Sequence, residues 1–572
     1  MKNKKKCFYR KKYHSLLLSG TFTMGMVYLM LLCDNIIAGF TIGTDGVAAI
    51  NLITPLIGIA NSVSLCISEG TGILYARAIG EMNRNRANRL YGMGMLATLF
   101  LALMMPVFLL LFKDSYLAAS GAGEEIIKLA EEYYVLLPFN TAILIVCAYV
   151  EQMVYADGDE MLVTKSYIAQ LLGNIILSIF LAKMFGIFGI MLGTVIGNVS
   201  ALLILSTHYF KKSNTLKFVA YFSFRNIWYC LKYSITDGIN FLLWGIVDFI
   251  LISYISRSFG DKYLVVLAVA ISLIEFAVIF DGIGMAIQPL MGVYIGEGNH
   301  KMIRRLMKDA VKTAIYEGIA ATVLLMIFAP QFARLFGIKD PQMTEPAVTA
   351  IRIIGAAFVA NSLFLLETSY YLYIDHISFA VAATYLKDGM FYAILPVIFS
   401  RLFGVNGLWI GFAIAPVMGI IVSMGLLRLR SGKERFPFLL TNMDHEITVY
   451  DEVLSPECMA RMSEEIQRRL EEHGYHKDVA LKAGLFAEEI SAAISEKNKG
   501  KKILIEYSLL YDENRVRLII RDSGVIFDIT DPNLKISGLG SFVASRLLRS
   551  YRQKTYIPTT GYNRNVLTFN KE

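Results

Sequence analysis

Ala76-Arg77-Ala78-Ile79-Gly80-Glu81-Met82-Asn83 returns in altered form as Gly292-Val293-Tyr294-Ile295-Gly296-Glu297-Gly298-Asn299, and Gly80 and Gly296 lie 216 positions apart. The same offset carries Glu151-x-x-x-Tyr155-x-x-x-Asp159 onto Glu367-x-x-x-Tyr371-x-x-x-Asp375. A third echo, at an offset of 218, pairs Phe185-Gly186-Ile187-Phe188-Gly189 with Phe403-Gly404-Val405-Asn406-Gly407. Each copy is dominated by long apolar runs. A duplication of that kind points to two related membrane bundles, an arrangement in which cargo binds between the halves.

Composition agrees. The chain is 55% hydrophobic and 18% charged, with a mean hydropathy of +0.52, whereas an average soluble domain carries roughly 25% charge. The excess lies before residue 430, after which a polar segment begins. Met1 to Lys12 is a lysine cluster rather than a cleavable leader, and the apolar run behind it is long enough to remain in a bilayer. Six cysteines (Cys7, Cys33, Cys66, Cys147, Cys230, Cys458) show no C-x-x-C spacing, which argues against a metal site or a disulfide framework. The formal charge of +8 comes from short loops beside apolar segments, so it reflects topology and not nucleic-acid binding.

At roughly 20 apolar residues per crossing, the sequence predicts twelve spans: 15–40, 46–75, 88–112, 128–154, 163–183, 187–209, 228–255, 263–294, 305–330, 347–373, 376–400 and 404–428. Basic residues crowd alternate loops, as in Arg77, Arg84, Arg86 and Arg89, or Lys301, Arg304, Arg305 and Lys308. The intervening loops are acidic, as at Glu124-Glu125 and Glu131-Glu132. The positive-inside rule then places both termini in the cytoplasm of a plasma-membrane protein. The expected organisation is a basic N-terminus (1–14), two pseudo-symmetric six-helix bundles (15–215 and 216–430), a linker (431–444) and a cytoplasmic α+β domain (445–572). In that last domain strands are expected at 447–449, 502–507, 515–521 and 565–569, and helices at 457–472, 479–497 and 540–550.

Six of the acids inside the predicted spans stand out: Asp34, Glu151, Asp248, Asp281, Glu367 and Asp388. Each costs about 2.5–3.5 kcal/mol at a helix centre, so each is a candidate for a cation or substrate-coupling site, the alternative being an acid that snorkels from a helix end. A buried carboxylate suits exchange chemistry. Desolvation raises its proton affinity, and left ionised it attracts Na⁺ or an organic cation. Glu151 and Glu367 are equivalents in the repeat and lie near helix ends, where a gate or a structural polar cluster fits as well as an ion site.

Residues 15–430 resemble the MATE (multidrug and toxic compound extrusion) family. The resemblance rests on Asp34-Asn35-Ile36-Ile37-Ala38-Gly39 followed by Gly46-Val47-Ala48-Ala49, on the two glycine–polar loops at Gly80 and Gly296, and on Gln288-Pro289-Leu290-Met291-Gly292. It implies two six-helix bundles in a V around a cleft, export driven by Na⁺ or H⁺, and ion coupling at Asp34. Neither the first nor the seventh span (near Thr236-Asp237-Gly238) carries the proline often found there, so coupling through a proline bend of the first helix is not expected.

In the tail, Asp522-Ser523-Gly524-Val525-Ile526-Phe527-Asp528, Ser537-Gly538-Leu539-Gly540-Ser541 and a closing strand at Asn565–Phe569 resemble a GHKL sandwich of the anti-sigma serine kinase branch. The resemblance implies an ATP site: Asp522 reading the adenine amino group, Gly524 and Phe527 beside the ring, and Gly538 and Gly540 on the phosphates. Glu489 occupies the catalytic position. Ala493, however, replaces the asparagine that would bind Mg²⁺, and alanine offers no oxygen to a hard cation. No resident metal is expected.

The reading that follows is an ion-coupled exporter of small organic cations or amphiphiles whose tail binds a nucleotide, and a regulatory protein partner in the cytoplasm. One alternative is a membrane-anchored serine kinase that uses the bundle as a receptor, disfavoured by Ala493. Another is a flippase for lipid-linked precursors, disfavoured by the acids. No Walker loop is present to support an ATP-driven pump.

Overall fold

A computed structural model describes residues 8–571, apart from 121, 336–337, 339–340, 432–436, 440–446, 513, 532–550 and 559–560. The first half comprises α1 (Phe8–Thr41), α2 (Thr44–Gly80), α3 (Arg84–Ala119), the short α4 (Glu124–Tyr134), α5 (Leu137–Ala156) and α6 (Glu160–Ser206). The second half comprises α7 (Phe224–Phe259), α8 (Leu264–Phe276), α9 (Asp281–Glu297), α10 (His300–Leu335), α11 (Pro341–Gly355) and α12 (Phe358–Tyr373). It continues with α13 (Ile377–Thr384), a π-helical turn (Tyr385–Phe391), α14 (Tyr392–Phe403) and α15 (Val405–Ser431).

Among the described residues nine helical segments are long and apolar enough to cross a membrane, and a tenth arises if α11 and α12, bent by 45°, are one span. The 47-residue α6 is two spans, because the chain turns back at Gly186 (φ 60°, ψ −141°). Counted with α7 and with α6 as two, the helices overlie the predicted spans, except that 128–154 is broken between α4 and α5 and 347–373 between α11 and α12. Their outward residues are apolar: on α3, Leu103, Leu110, Leu111 and Phe112 are all more than half exposed, as a helix solvated by lipid requires.

The duplication is visible in the backbone. Left-handed residues at Gly43, Met82, Gly158 and Gly186 recur at Gly260, Gly298, Asp375 and Gly404, 216 to 218 positions later. The glycine–polar loops are therefore connectors with a physical logic. The amide of Asn83 donates to Ala78 O and that of Asn299 to Tyr294 O, closing each preceding helix. Asn83 and Asn299 then cap the next helix by accepting from the amides of Arg86 and Met302.

Packing gives the bundle its shape. One core draws on both halves, from Ile73, Tyr75 and Val150 to Ile283, Met291 and Tyr371. On the opposite side the halves have separate cores, one of residues from 37 to 195 and one of residues from 247 to 415. The halves thus form a V with its apex on the side that carries the tail. At the apex α2 and α9 cross in backbone contact. A Cβ on Gly80 would lie 2.3 Å from the oxygen of Val293, and one on Gly296 2.2 Å from the oxygen of Arg77.

The tail is a two-layer α+β unit, beginning with β1 (Ile447–Val453), α16 (Pro456–Glu472) and α17 (Lys477–Lys497). It continues with β2 (Leu504–Tyr511), β3 (Arg515–Asp522), β4 (Lys554–Tyr556) and β5 (Asn563–Asn570). The five strands pair antiparallel in the order β1-β2-β3-β5-β4. The Ser455 hydroxyl accepts from the Cys458 amide and Pro456 opens α16, which fixes that helix start. All four expected strands run longer than expected, β4 was not anticipated, and the helix expected at 540–550 lies outside the described residues. Of the expected linker, Pro437 and Phe438 are held against α12, their carbonyls accepting from Tyr371 (2.7 Å) and Tyr370 (2.8 Å).

A side chain at the α2–α9 crossing must push two backbones apart. Gly80→Val should lower the thermal unfolding midpoint in detergent, with a cost of about 1–3 kcal/mol. Gly123→Ala, where a Cβ meets nothing within 4 Å, should leave the midpoint unchanged.

Candidate functional site

The Gly186 break folds α6 into a hairpin whose arms carry neutral polar residues one helical turn apart. Gln170 faces Asn198, Asn174 Nδ2 donates to Thr194 Oγ1 (2.7 Å), and Ser178 Oγ donates to the oxygen of Ile190 (3.0 Å). Asn198 in turn donates to Asn140 of α5 (2.7 Å). Into this seam α1 delivers Asp34. Its carboxylate accepts from Tyr133 of α4 (2.9 Å), Thr194 (3.2 Å) and Asn174 (3.3 Å). The donors are all neutral, and no cationic side chain pairs with Asp34 among the described residues. Three neutral donors hold a carboxylate in place without cancelling its charge, leaving it able to take a proton or a cation.

The remaining acids fall in different settings. Glu151 accepts from Tyr167 (2.8 Å) and Glu367 from Ser423 (2.6 Å), both beside the core shared by the halves. Next to Glu151, Gln152 donates to Gln288 across the halves at 2.9 Å. Asp248 of α7 stands near Glu275 of α8, close enough for the two charges to interact, and its buried Oδ1 has no hydrogen-bond partner among the described residues. Asp281 opens α9. Asp388 lies in the π-helical turn and is paired with Lys387 at 3.0 Å, both side chains buried. Lys387 also reaches Asn361 (3.3 Å) and sits 4.5 Å over the ring of Phe364. The structure therefore unites Asp34 with a polar seam in the first half and leaves the other five acids apart from it.

Sequence reading named the acids and missed their companions. Gln170, Asn174, Thr194 and Asn198 carry no charge, and their only signal is a four-residue spacing of polar residues in the apolar runs either side of Phe185-Gly186, while Tyr133 of α4 has no such signal. Lys387 was overlooked as well.

In the tail, alternation along β3 and β5 turns Asp522, Asn563 and Asn565 toward the helix layer. Asp522 Oδ1 accepts from the Gly524 amide and from Asn563 Nδ2, both at 2.9 Å. Its Oδ2 is buried with no hydrogen-bond partner among the described residues. Burial pushes this carboxyl up to about 6, against the pull of Asn563, the Gly524 amide and Lys497. The amides of Phe527 and Ile529 are tied to Asn563 (3.1 Å) and Asn565 (3.3 Å), which fixes the turn after the strand. Phe527 itself is core. A Cβ on Gly524 would strike Asn498 Nδ2 at 2.5 Å. Glu489 is half-buried on α17, its carboxyl raised by burial and by Glu488, and Ala493 is buried on the same helix. Gly538 and Gly540 lie outside the described residues.

Comparison with known proteins bears on the helical part. The chain is 23% identical over 314 residues to the probable multidrug resistance protein YoeA of Bacillus subtilis (strain 168), covering 52% of this chain and 67% of that one. It is 22% identical over 402 residues to the multidrug export protein MepA of Staphylococcus aureus (strain N315), covering 68% and 87%. A solved outward-facing multidrug resistance MATE family transporter of the MOP superfamily superposes with a TM-score of 0.68 at 22% identity, over 74% of this chain and 96% of that one. The MatE family profile matches residues 21–180 and 238–374. That match spans more than half of the 572 residues and takes in both repeated halves, so the chain is a multi-pass membrane protein that belongs to the MatE family.

Proposed function

We propose that this protein exports small organic cations or related amphiphiles across the plasma membrane in exchange for Na⁺ or H⁺, with both termini and the tail in the cytoplasm. The single observation that carries this reading is Asp34, a carboxylate in the first half of a MatE bundle with only neutral donors around it. Such a group binds one cation at a time, so proton or Na⁺ and an organic cation compete for it, and competition at a site with alternating access gives exchange. The named multidrug exporters among the relatives support the cargo class. Lys387 does not make the cavity cationic, because Asp388 neutralises it in a buried pair.

In this reading the tail is a nucleotide-binding regulatory module of GHKL type. The support is a buried, half-satisfied Asp522 at the end of a strand, followed by a glycine at 524. An adenine amino group donating to Oδ2 would complete its hydrogen bonding, as buried polar groups require. Ala493 weighs against Mg²⁺-dependent transfer, so the tail binds ATP rather than acting as a kinase, and Glu489 has no metal-bound phosphate to act on. A cytoplasmic protein partner would read its state.

In ATP-free liposomes an imposed Na⁺ or H⁺ gradient should drive movement of a fluorescent organic cation. Asp34→Asn should reduce that flux to the level of empty vesicles. Gradient-independent flux, or full activity of the variant, would overturn the assignment.

ATP should bind the full-length chain, and Asp522→Asn should weaken binding about tenfold or more, the value of a hydrogen bond to a charged group. Because the ionised carboxylate is the acceptor, affinity should be constant above the neutral range and fall as pH drops through about 6. A fluorescent-nucleotide titration across pH checks both, and equal affinity at pH 5 and pH 8 would exclude Asp522 as the acceptor.

A further inference from the structure

The tail's sheet has a second face. Ile505, Tyr507, Leu509, Leu518 and Ile520 pack into the tail's own core. Alternate residues point the other way, and the register stacks Glu506, Arg521 and Arg564 side by side across β2, β3 and β5. All three are buried, although among the described residues no part of the tail covers them. What covers them is the apex of the helical bundle.

Arg564 donates from Nη1 to the oxygen of Ile79 (2.7 Å) and from Nη2 to that of Gly80 (2.8 Å). These are the last carbonyls of α2 and form its negative end, and that of Ile79 also accepts from the Met82 amide (3.1 Å). The Nε of the same guanidinium stands 2.9 Å from Glu297, the last residue of α9. Arg521 pairs with both Glu297 and Glu506 and lies 5.5 Å over the ring of Tyr294. Arg517 donates to the oxygen of Glu297 at 3.3 Å. Around the charges Leu510, Ile519 and Val566 pack on Met82. Burial lowers the Arg564 guanidinium only to about 10, so it stays charged near neutrality.

One side chain of the tail therefore joins α2 of the first half to α9 of the second, at the two repeat-related loops. Opening the bundle on this side must separate those helix ends. If the tail followed one half, buried charges would lose their partners on the other.

We propose that the outer face of the tail's sheet is a lock: by seating Arg521 and Arg564 on Glu297 and on the end of α2, it holds the halves together on the tail side and opposes the conformation open there. This rests on the reading of the bundle as an alternating-access exporter. Any molecule or partner that lifts the sheet releases the halves.

Spin labels on exposed Asn85 (α3) and Lys308 (α10), in the full chain with its native cysteines replaced, report the separation of the halves. A second pair, Asn85 with Glu472 of the tail, reports docking. The unmutated chain should give one short distance for each pair. Arg564→Ala and Glu297→Gln should lengthen both, with roughly a tenth or more of the molecules shifting to the longer separation. Arg517→Ala, which on the bundle removes one carbonyl contact and within the tail the 4.0 Å pair with Asp512, should do so to a smaller extent. Halves that stay closed while the tail lifts away would overturn the lock, and so would unchanged distances in all three folded variants. Neither distance depends on cargo, gradient or nucleotide, so an absence of transport would count against the exporter reading and not against the lock.

Discussion

Where α2 and α9 cross, two helices from related halves touch through their backbones. The carbonyl of Val293 faces Gly80 and that of Arg77 faces Gly296 at distances no Cβ would allow. In a bilayer there is no hydrophobic drive between helices, so association rests on close packing and on hydrogen bonds between them. The glycines supply the closeness, and around them gather the polar contacts that join the halves: Gln152 to Gln288, and Arg77 to Asp375 and to the oxygen of Tyr373. The shared core, the V, and the platform on which the tail rests all follow from this crossing.

The polar seam of the first half follows from a second constraint. Each neutral donor inside a membrane helix needs an acceptor, and an α6 folded on itself at Gly186 lets its two arms satisfy each other turn by turn. Asp34 enters at one rung of that ladder. Asn174 and Thr194 are held by their own hydrogen bonds and Tyr133 by burial, so the carboxylate sits in a fixed cradle without a fixed counter-charge. Among the described residues the second half shows no such seam at the corresponding place. There Lys387 and Asp388 close on each other, and the asymmetry between the halves is one of charge.

Much of the fold could be read from the sequence because the membrane imposes long apolar runs and the duplication repeats its punctuation. Gly186 and Gly404 stand out in sequence for the same reason that they take left-handed backbone. The acids stood out because charge is rare in a span. Asn174 and Thr194 did not, since single neutral polar residues are common in membrane helices and their meeting depends on how α6 folds back. The lock was hidden for a related reason. Glu506 sits between apolar residues, Arg521 follows Ile520 and Arg564 lies between two asparagines, so all three read as the solvated face of a strand, and only the bundle's apex shows that this face is dry. The short β4 was lost beside a turn, because three residues give too little periodicity to count.

The register of β3 and β5 sets two chemistries back to back. Asp522 pairs with Asn563 and turns inward, while the adjoining pair, Arg521 with Arg564, turns outward onto the bundle. A shift of either strand moves both pairs. A ligand bound behind the sheet, as proposed, would make its occupancy and the seating in front of it linked equilibria, and linkage is reciprocal. A ligand of Asp522 that prefers the seated tail is itself held more tightly when the bundle is closed on that side, and one that prefers the lifted tail is held more tightly when it is open. The state of the membrane half would thus be written into the tail's affinity, making the soluble domain a reporter of the transport cycle as much as a control upon it.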